Sequence, residues 1–258
     1  MTQDCRKTPL HEMDPGGRFA DRAADYVRYR PSYPEAAIDS ILAGRADPQA
    51  LVAADVGAGT GISARLLAER GARVLAVEPN AAMRAAAAEH ERMEWYPGTG
   101  ESTGLPSGRV DLVLCAQAFH WFRQREAVAE FHRILRPRGR LALLWNNRDA
   151  RDGLTREYIE AIREVNGEHP AERREFDPGV IDRDGWFRTP RLATFEHWQT
   201  LDRAGLIGRA ESASYVPKEG PASERLRERL AGLFERYRDE HGHVEMRYVT
   251  SVYLSHGC

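Results

Sequence analysis

The segment Asp55-Val56-Gly57-Ala58-Gly59-Thr60-Gly61 sets three glycines at alternate positions directly behind an apolar run. A turn without Cβ atoms lets a ligand come into contact with the backbone, where side chains would otherwise block it. The spacing is G-x-G-x-G, and Ile62 follows at the position next to the third glycine rather than a glycine completing G-x-G-x-x-G. A second apolar run, Arg73-Val74-Leu75-Ala76-Val77, ends in Glu78, one strand–helix unit downstream. An acid at such a strand end can accept hydrogen bonds from ribose hydroxyls. Loop and acid together point to a nucleoside-bearing ligand more strongly than either feature alone.

Those residues need a scaffold that brings two strand ends together. Apolar runs at 51–56, 73–78, 93–96, 110–115 and 140–145 read as strands, and 62–70, 81–90 and 126–135 as helices between them. Gly71 closes the first of these helices, and Pro137 with Gly139 ends the last. The runs are continuous rather than alternating, as expected of a parallel sheet covered on both faces. The alternation predicts an α/β fold: a doubly wound, mostly parallel, Rossmann-like sheet of seven strands with a helical insertion or cap. Upstream, 18–42 reads as two helices broken at Arg30-Pro31-Ser32-Tyr33-Pro34, because a residue before proline is pushed out of the helical region. Residues 1–17 read as a flexible polar tail and 18–258 as one domain, with a ligand-binding core at 18–150. The charged stretch 151–200, with a helix at 154–165 and a Pro/Gly/Asp-rich piece at 169–190, is long for a loop and is expected to form the cap. Trp186, Phe187, Phe195 and Trp198 would mainly fill its core. Residues 201–258 supply helices at 202–209 and 223–240 and a further strand at 247–254.

On these motifs the chain resembles the class I S-adenosylmethionine-dependent methyltransferases. Asp55 to Gly61 is similar to that family's first motif, and Val77-Glu78-Pro79-Asn80-Ala81-Ala82-Met83 to its second. Gly100-Glu101-Ser102 before Leu105-Pro106 is similar to the adenine-side motif. Asp111 to Trp121 resembles the fourth-strand motif, and Leu135 to Leu141 the turn before the fifth strand. The match covers roughly 18–148. Tyr26 to Pro34 together with Ala118-Phe119-His120-Trp121-Phe122 resembles a narrower, small-molecule subgroup that includes trans-aconitate methyltransferase. His120 departs from it, since a glutamine is expected there.

The resemblance implies S-adenosylmethionine as cofactor. Its ligands would be drawn from Tyr26, Arg30, Gly57, Ala58, Gly59, Gly61, Glu78, Pro79, Met83, Glu101, Ser102, Cys115 and Gln117. The acceptor would be a small molecule, methylated on a carboxylate or hydroxyl oxygen. A carboxylate is already ionised at neutral pH. A hydroxyl would benefit from a base, and His120 is the catalytic candidate. The alternatives are a non-catalytic S-adenosylmethionine-binding protein and a nicotinamide-dependent oxidoreductase. The glycine spacing and the absence of a Tyr-x-x-x-Lys dyad speak against the latter.

Composition narrows the classes further. Thirty-seven Lys+Arg against 39 Asp+Glu gives a net charge of −2, which does not suit a polybasic nucleic-acid binder. No apolar run approaches the ~20 residues that span a bilayer, and the first 17 residues lack the apolar stretch of a secretory signal, so no membrane partner is expected. Cys5, Cys115 and Cys258 form no pair motif, which suits a reduced, cytoplasmic setting. A nucleophilic role for Cys115 is disfavoured because no basic partner lies near it in sequence. His241-Gly242-His243 has no nearby cysteine and reads as a loop rather than a metal site. The sequence leaves the oligomeric state open.

Overall fold

The computed structural model describes residues 10–12, 23–44, 47–167 and 176–258. The expected tail at 1–17, apart from a 3₁₀ turn at Leu10–Glu12, and residues 168–175 lie outside the described residues. Seven strands form one sheet: β1 (Val52–Val56), β2 (Arg73–Val77), β3 (Met93–Tyr96), β4 (Val110–Ala116), β5 (Leu135–Arg148), β6 (Arg191–Leu201) and β7 (Val244–His256). Their order is β3-β2-β1-β4-β5-β7-β6. The first five run parallel, while β7 is antiparallel to β5 and β6 is antiparallel to β7. The helices are α1 (Ala23–Tyr29), α2 (Glu35–Leu42), α3 (Ile62–Glu69), α4 (Ala81–Ala85), α5 (Gln124–Ile134), α6 (Gly153–Asn166), α7 (Gly179–Asp182), α8 (Arg203–Glu211) and α9 (Pro221–Tyr237).

Both sheet faces are apolar, as the continuous runs require. One core packs residues of α5 and α7 on the sheet, and a second packs α2 and α3 on the opposite face. A third joins α6, α8 and α9 to the start of β7. The strand order reverses between β1 and β4, so the connections that leave them run to helices on opposite faces, at the switch point where open α/β sheets bind ligands.

Three elements differ from expectation, each for a tertiary reason. Helix α4 stops at Ala85 rather than near residue 90. Its alanines favour helix, yet only Met83 is buried, and a short helix without packing is marginal. Strand β5 begins at Leu135, not at residue 140. Val110 pairs with Leu135 and Leu112 with Arg140, so residues 136–139, including Pro137, form an irregularity in which Arg138 adopts φ +62°.

The third difference is the expected cap. Its second half is β6, an eleven-residue strand paired along its full length with β7. The cap aromatics serve the main sheet instead. Phe187 is buried in the α5 core, and Trp186 stacks on His132 with ring centroids 5.9 Å apart. Phe195 packs on the α2 side, and Trp198 is about half exposed with the Arg247 guanidinium 5.5 Å above its ring.

Helix α1 is seated on α8. A Cβ built at Gly208 would lie 2.4 Å from the Tyr29 ring, so only glycine permits this approach. Arg30 Nη2 donates to the Ser212 carbonyl at 3.0 Å, and Gln199 Nε2 donates to the Tyr29 carbonyl at 3.0 Å. Gly208→Ala is therefore expected to lower stability by about 1–3 kcal/mol through overpacking. A urea midpoint equal to that of wild type would contradict this seating.

Candidate functional site

A cavity of about 430 Å³ lies at the carboxyl ends of β1, β2 and β4. That volume lies within the range of small-ligand pockets. Its floor is the glycine loop. Gly57, Gly59 and Gly61 have φ values of +75°, +59° and +81°, a region that glycine enters without Cβ strain. At Gly57 a Cβ would also collide with Ala118 Cβ at 2.4 Å. The Gly57 and Ala58 amides both donate to the Val77 carbonyl, which fixes the loop against β2.

Glu78 stands at the rim, only 8% exposed. Its Oε2 accepts from the Gly59 amide at 3.0 Å and its Oε1 from the Asn80 amide at 2.9 Å. Each oxygen retains acceptor capacity. Burial pushes this carboxyl above its ordinary pKa, and the two amides pull it back. Asn80 also caps α4, accepting from the Ala82 and Met83 amides. Arg84 Nη1 donates to the carbonyls of Glu78 and Pro79 and holds the strand end closed.

Tyr26 from α1 and Met83 from α4 approach the loop from above. A Cβ at Gly59 would lie 3.4 Å from Met83 Cε and 3.8 Å from Tyr26 Cε1. The remaining wall comes from Pro79, Thr99 and Glu101, and from Ala116 to Ala118 and Trp121 to Arg123. Glu101 Oε1 accepts from the Arg123 amide at 2.7 Å, which joins two loops across the mouth. Gln117 turns the chain at the end of β4 with φ +59°, uncommon for a residue with a side chain. Its amide donates to the Leu144 carbonyl, and its Nε2 reaches the Asn146 carbonyl at 3.4 Å.

The structure thus brings together Tyr26, Gly57, Gly59, Glu78, Pro79, Met83, Glu101 and Gln117 of the expected ligands. It places six others off this wall. The Ala58 amide is consumed by Val77, and Gly61 opens α3 with its back to Met93 and Trp95. The Ser102 amide folds back on Thr99 Oγ1. Cys115 is fully buried in the α5-side core, where burial raises its thiol pKa well above the usual value. Arg30 lies behind Tyr26, its guanidinium 4.6 Å from that ring centroid. His120 lines a neighbouring open cavity of about 490 Å³ that shares Phe122 and Arg123 with the first. Its Nδ1 accepts from Trp145 Nε1 at 3.4 Å, and its ring packs on Trp121 at 5.3 Å.

Trp121, Phe122, Arg123, Thr99, Ala116 and Ala118 join the wall beyond the residues expected from the sequence. The aromatic run behind β4 was the available signal for the first two. Asp55 is a further ionisable group of the site region, and no feature of the sequence marks it as one. It is fully buried, and its Oδ2 accepts from Ser63 Oγ at 2.6 Å. Its Oδ1 has no hydrogen-bond partner among the described residues. Burial pushes its pKa up to about 7, against the lowering effect of Ser63.

Comparison with known proteins agrees with this architecture. Residues 54–143 match the family model described as a methyltransferase domain. An uncharacterized methyltransferase of Mycobacterium tuberculosis is 43% identical over 148 residues, 56% of this chain and 58% of that protein. An uncharacterized methyltransferase-like protein of Schizosaccharomyces pombe is 32% identical over 160 residues, 61% of each chain. The chain therefore spans less than two thirds of the length of these relatives. A solved structure from Anaeromyxobacter dehalogenans is 23% identical and superposes with a TM-score of 0.60, covering 89% of this chain and 97% of that one. That likeness concerns the fold. Among the described residues no helix is long and apolar enough to cross a membrane.

Asp55 carries a pH signature. In the unfolded chain it titrates near 3.8, and in the folded protein near 7. Between those values the native state holds a proton that the unfolded state has released, so stability falls as pH rises from about 4 to about 7. The full effect is up to about 4 kcal/mol. Asp55→Asn keeps an acceptor for Ser63 and removes the titration. Urea midpoints from pH 4 to pH 8 are expected to fall less in Asp55→Asn than in wild type. Parallel profiles would show that Asp55 ionises freely.

Proposed function

We propose that this chain, whose residues 54–143 match a methyltransferase domain, is a class I, S-adenosylmethionine-dependent enzyme that transfers a methyl group from S-adenosylmethionine to an oxygen of a small-molecule acceptor. One observation carries the cofactor reading. Glu78 holds the glycine loop through the Gly59 amide and still presents carboxylate oxygens to the cavity, as recognition of ribose hydroxyls requires. The rest of the wall fits the same group. Gly57 and Gly59 open the backbone to close approach, and Tyr26, Met83 and Phe122 offer apolar and aromatic surface. When bound, S-adenosylmethionine would supply an activated sulfonium methyl carbon, which an acceptor oxygen attacks in line as the neutral thioether leaves.

The chain's own contribution is positioning and exclusion of water. The titratable groups on the wall are Tyr26, Glu78, Glu101 and Arg123. Glu78 is bound to two amides, and Glu101 is bound to the Arg123 amide. Neither is placed as a general base. His120 sits on the neighbouring cavity with Nδ1 already accepting from Trp145. This arrangement favours an acceptor that is ionised before it arrives. A carboxylate meets that condition at neutral pH, and its methylation yields an ester with no proton to remove.

Thermal-shift titration with S-adenosylmethionine, S-adenosylhomocysteine and NAD tests the reading, with wild type and Glu78→Ala in parallel. Either sulfur ligand at ~100 times its Kd is expected to add about 2.7 kcal/mol of stability. Loss of two charge-assisted contacts in Glu78→Ala is expected to weaken binding at least about tenfold. No shift with the sulfur ligands in a folded sample, or a stronger shift with NAD, would overturn the assignment.

A further inference from the structure

The two edges of the sheet differ in character. Strand β3 closes one side with four residues, and Arg73 Nη2 beside it donates to Glu94 Oε2 at 3.0 Å. A short, charged edge resists pairing with another strand. Strand β6 closes the other side with eleven residues, and among the described residues it pairs only with β7. It carries Leu192 and Trp198, which are 54% and 51% exposed. A long edge that shows apolar side chains to solvent is a template for a further strand.

The ladder register decides which main-chain groups this edge offers. The Asp149 amide donates to the Arg247 carbonyl and the Gly257 amide to the Gly139 carbonyl, both in the register of the β5–β7 ladder. The odd-numbered residues of β7 therefore turn their amides and carbonyls to β5, and the even-numbered ones turn theirs to β6. Thr250 is opposite Phe195 and Val252 is opposite Ala193, so the odd-numbered residues of β6 are bonded to β7. The even-numbered residues Leu192, Thr194, Glu196, Trp198 and Thr200 point their amides and carbonyls outward, and all five are exposed.

A second copy of β6 fits this edge. Two antiparallel copies related by a two-fold axis normal to the sheet place even-numbered residues opposite even-numbered ones. With the axis at Phe195, Leu192 lies opposite Trp198 of the second copy, and Thr194 opposite Glu196. Each such pair exchanges two main-chain hydrogen bonds, and symmetry doubles the set to about eight, against about ten in a typical interface. The two exposed apolar side chains then cover each other. No like charges stand directly opposite, since Arg191 meets Gln199 and His197 meets Ala193. Moving the axis by one residue removes the fit. With the axis at Glu196, the two Glu196 carboxylates face each other; with the axis at Thr194, Leu192 faces Glu196. Opposed like charges destabilise a strand pair, and opposed apolar side chains stabilise it.

We propose that β6 is a dimerisation edge, which pairs antiparallel with β6 of a second copy of this chain about Phe195. The pairing joins two seven-stranded sheets into one.

The test is the mass of the full chain in solution, by light scattering after size exclusion and by sedimentation velocity from ~1 to ~200 μM. Wild type is expected to reach twice the mass of one chain. Thr194→Pro removes an outward amide that the β6–β7 ladder does not use, and Leu192→Glu puts a charge opposite Trp198. Each is expected to raise the dimer Kd at least tenfold while keeping the circular dichroism of wild type. Leu192 is exposed, so its variant keeps the proposal testable should the proline variant fail to fold. Phe195→Cys reads the register. In a Cys5→Ser, Cys258→Ser background, where the remaining native thiol is the fully buried Cys115, mild oxidation is expected to link two copies through position 195. A wild-type monomer at the highest concentration overturns the proposal. A dimer whose Kd changes in neither edge variant also overturns it, because that dimer uses another surface. A dimer weakened by the edge variants but not linked in Phe195→Cys overturns the pairing about Phe195.

Discussion

The Glu78 carboxylate, shared between the Gly59 and Asn80 amides, is the interaction on which the geometry of the site depends. It ties the loop after β1 to the end of β2 and to the start of α4. Because Glu78 is buried, those two amides offset part of the penalty of holding its charge away from water. The same contacts leave the carboxylate facing the cavity. Stabilising the loop and offering acceptors to a ligand are therefore one arrangement.

Polar groups are buried at several places in this fold. Asp55 sits fully buried one residue before the end of β1, held by Ser63, with a pKa near neutrality. Arg140 is buried on β5, where it donates to the Ile41 and Ala43 carbonyls at the end of α2 and so closes that helix. Arg209 is buried on α8, where its Nε donates to the Tyr248 hydroxyl at 3.3 Å. Arg140 is met by carbonyls at a helix end, where the partial negative charge of the helix lies.

Helix α1 links the cavity at the glycine loop to the third core. It is seven residues long and presents Tyr26 to the cavity, while Tyr29 and the adjoining Arg30 fasten it to α8. The second cavity, with His120, lies beyond Phe122 on the other side of the wall. The aromatic run behind β4 thus separates two compartments rather than lining a single pocket.

The amino-acid sequence by itself determined the five parallel strands, the glycine loop and the acid at the end of β2. These are local properties: continuous apolar runs report burial on both faces, and glycine at positive φ reports a turn that no other residue makes without strain. Residues 191–201 were opaque because a half-exposed edge strand mixes Arg, Glu and His with Leu, Phe and Trp, and only its ladder with β7 makes it a strand. The facing of Cys115 and the partnership of His120 with Trp145 were decided by tertiary structure alone. Each depends on groups that are brought together from distant parts of the chain, by pairing and packing that no local pattern encodes.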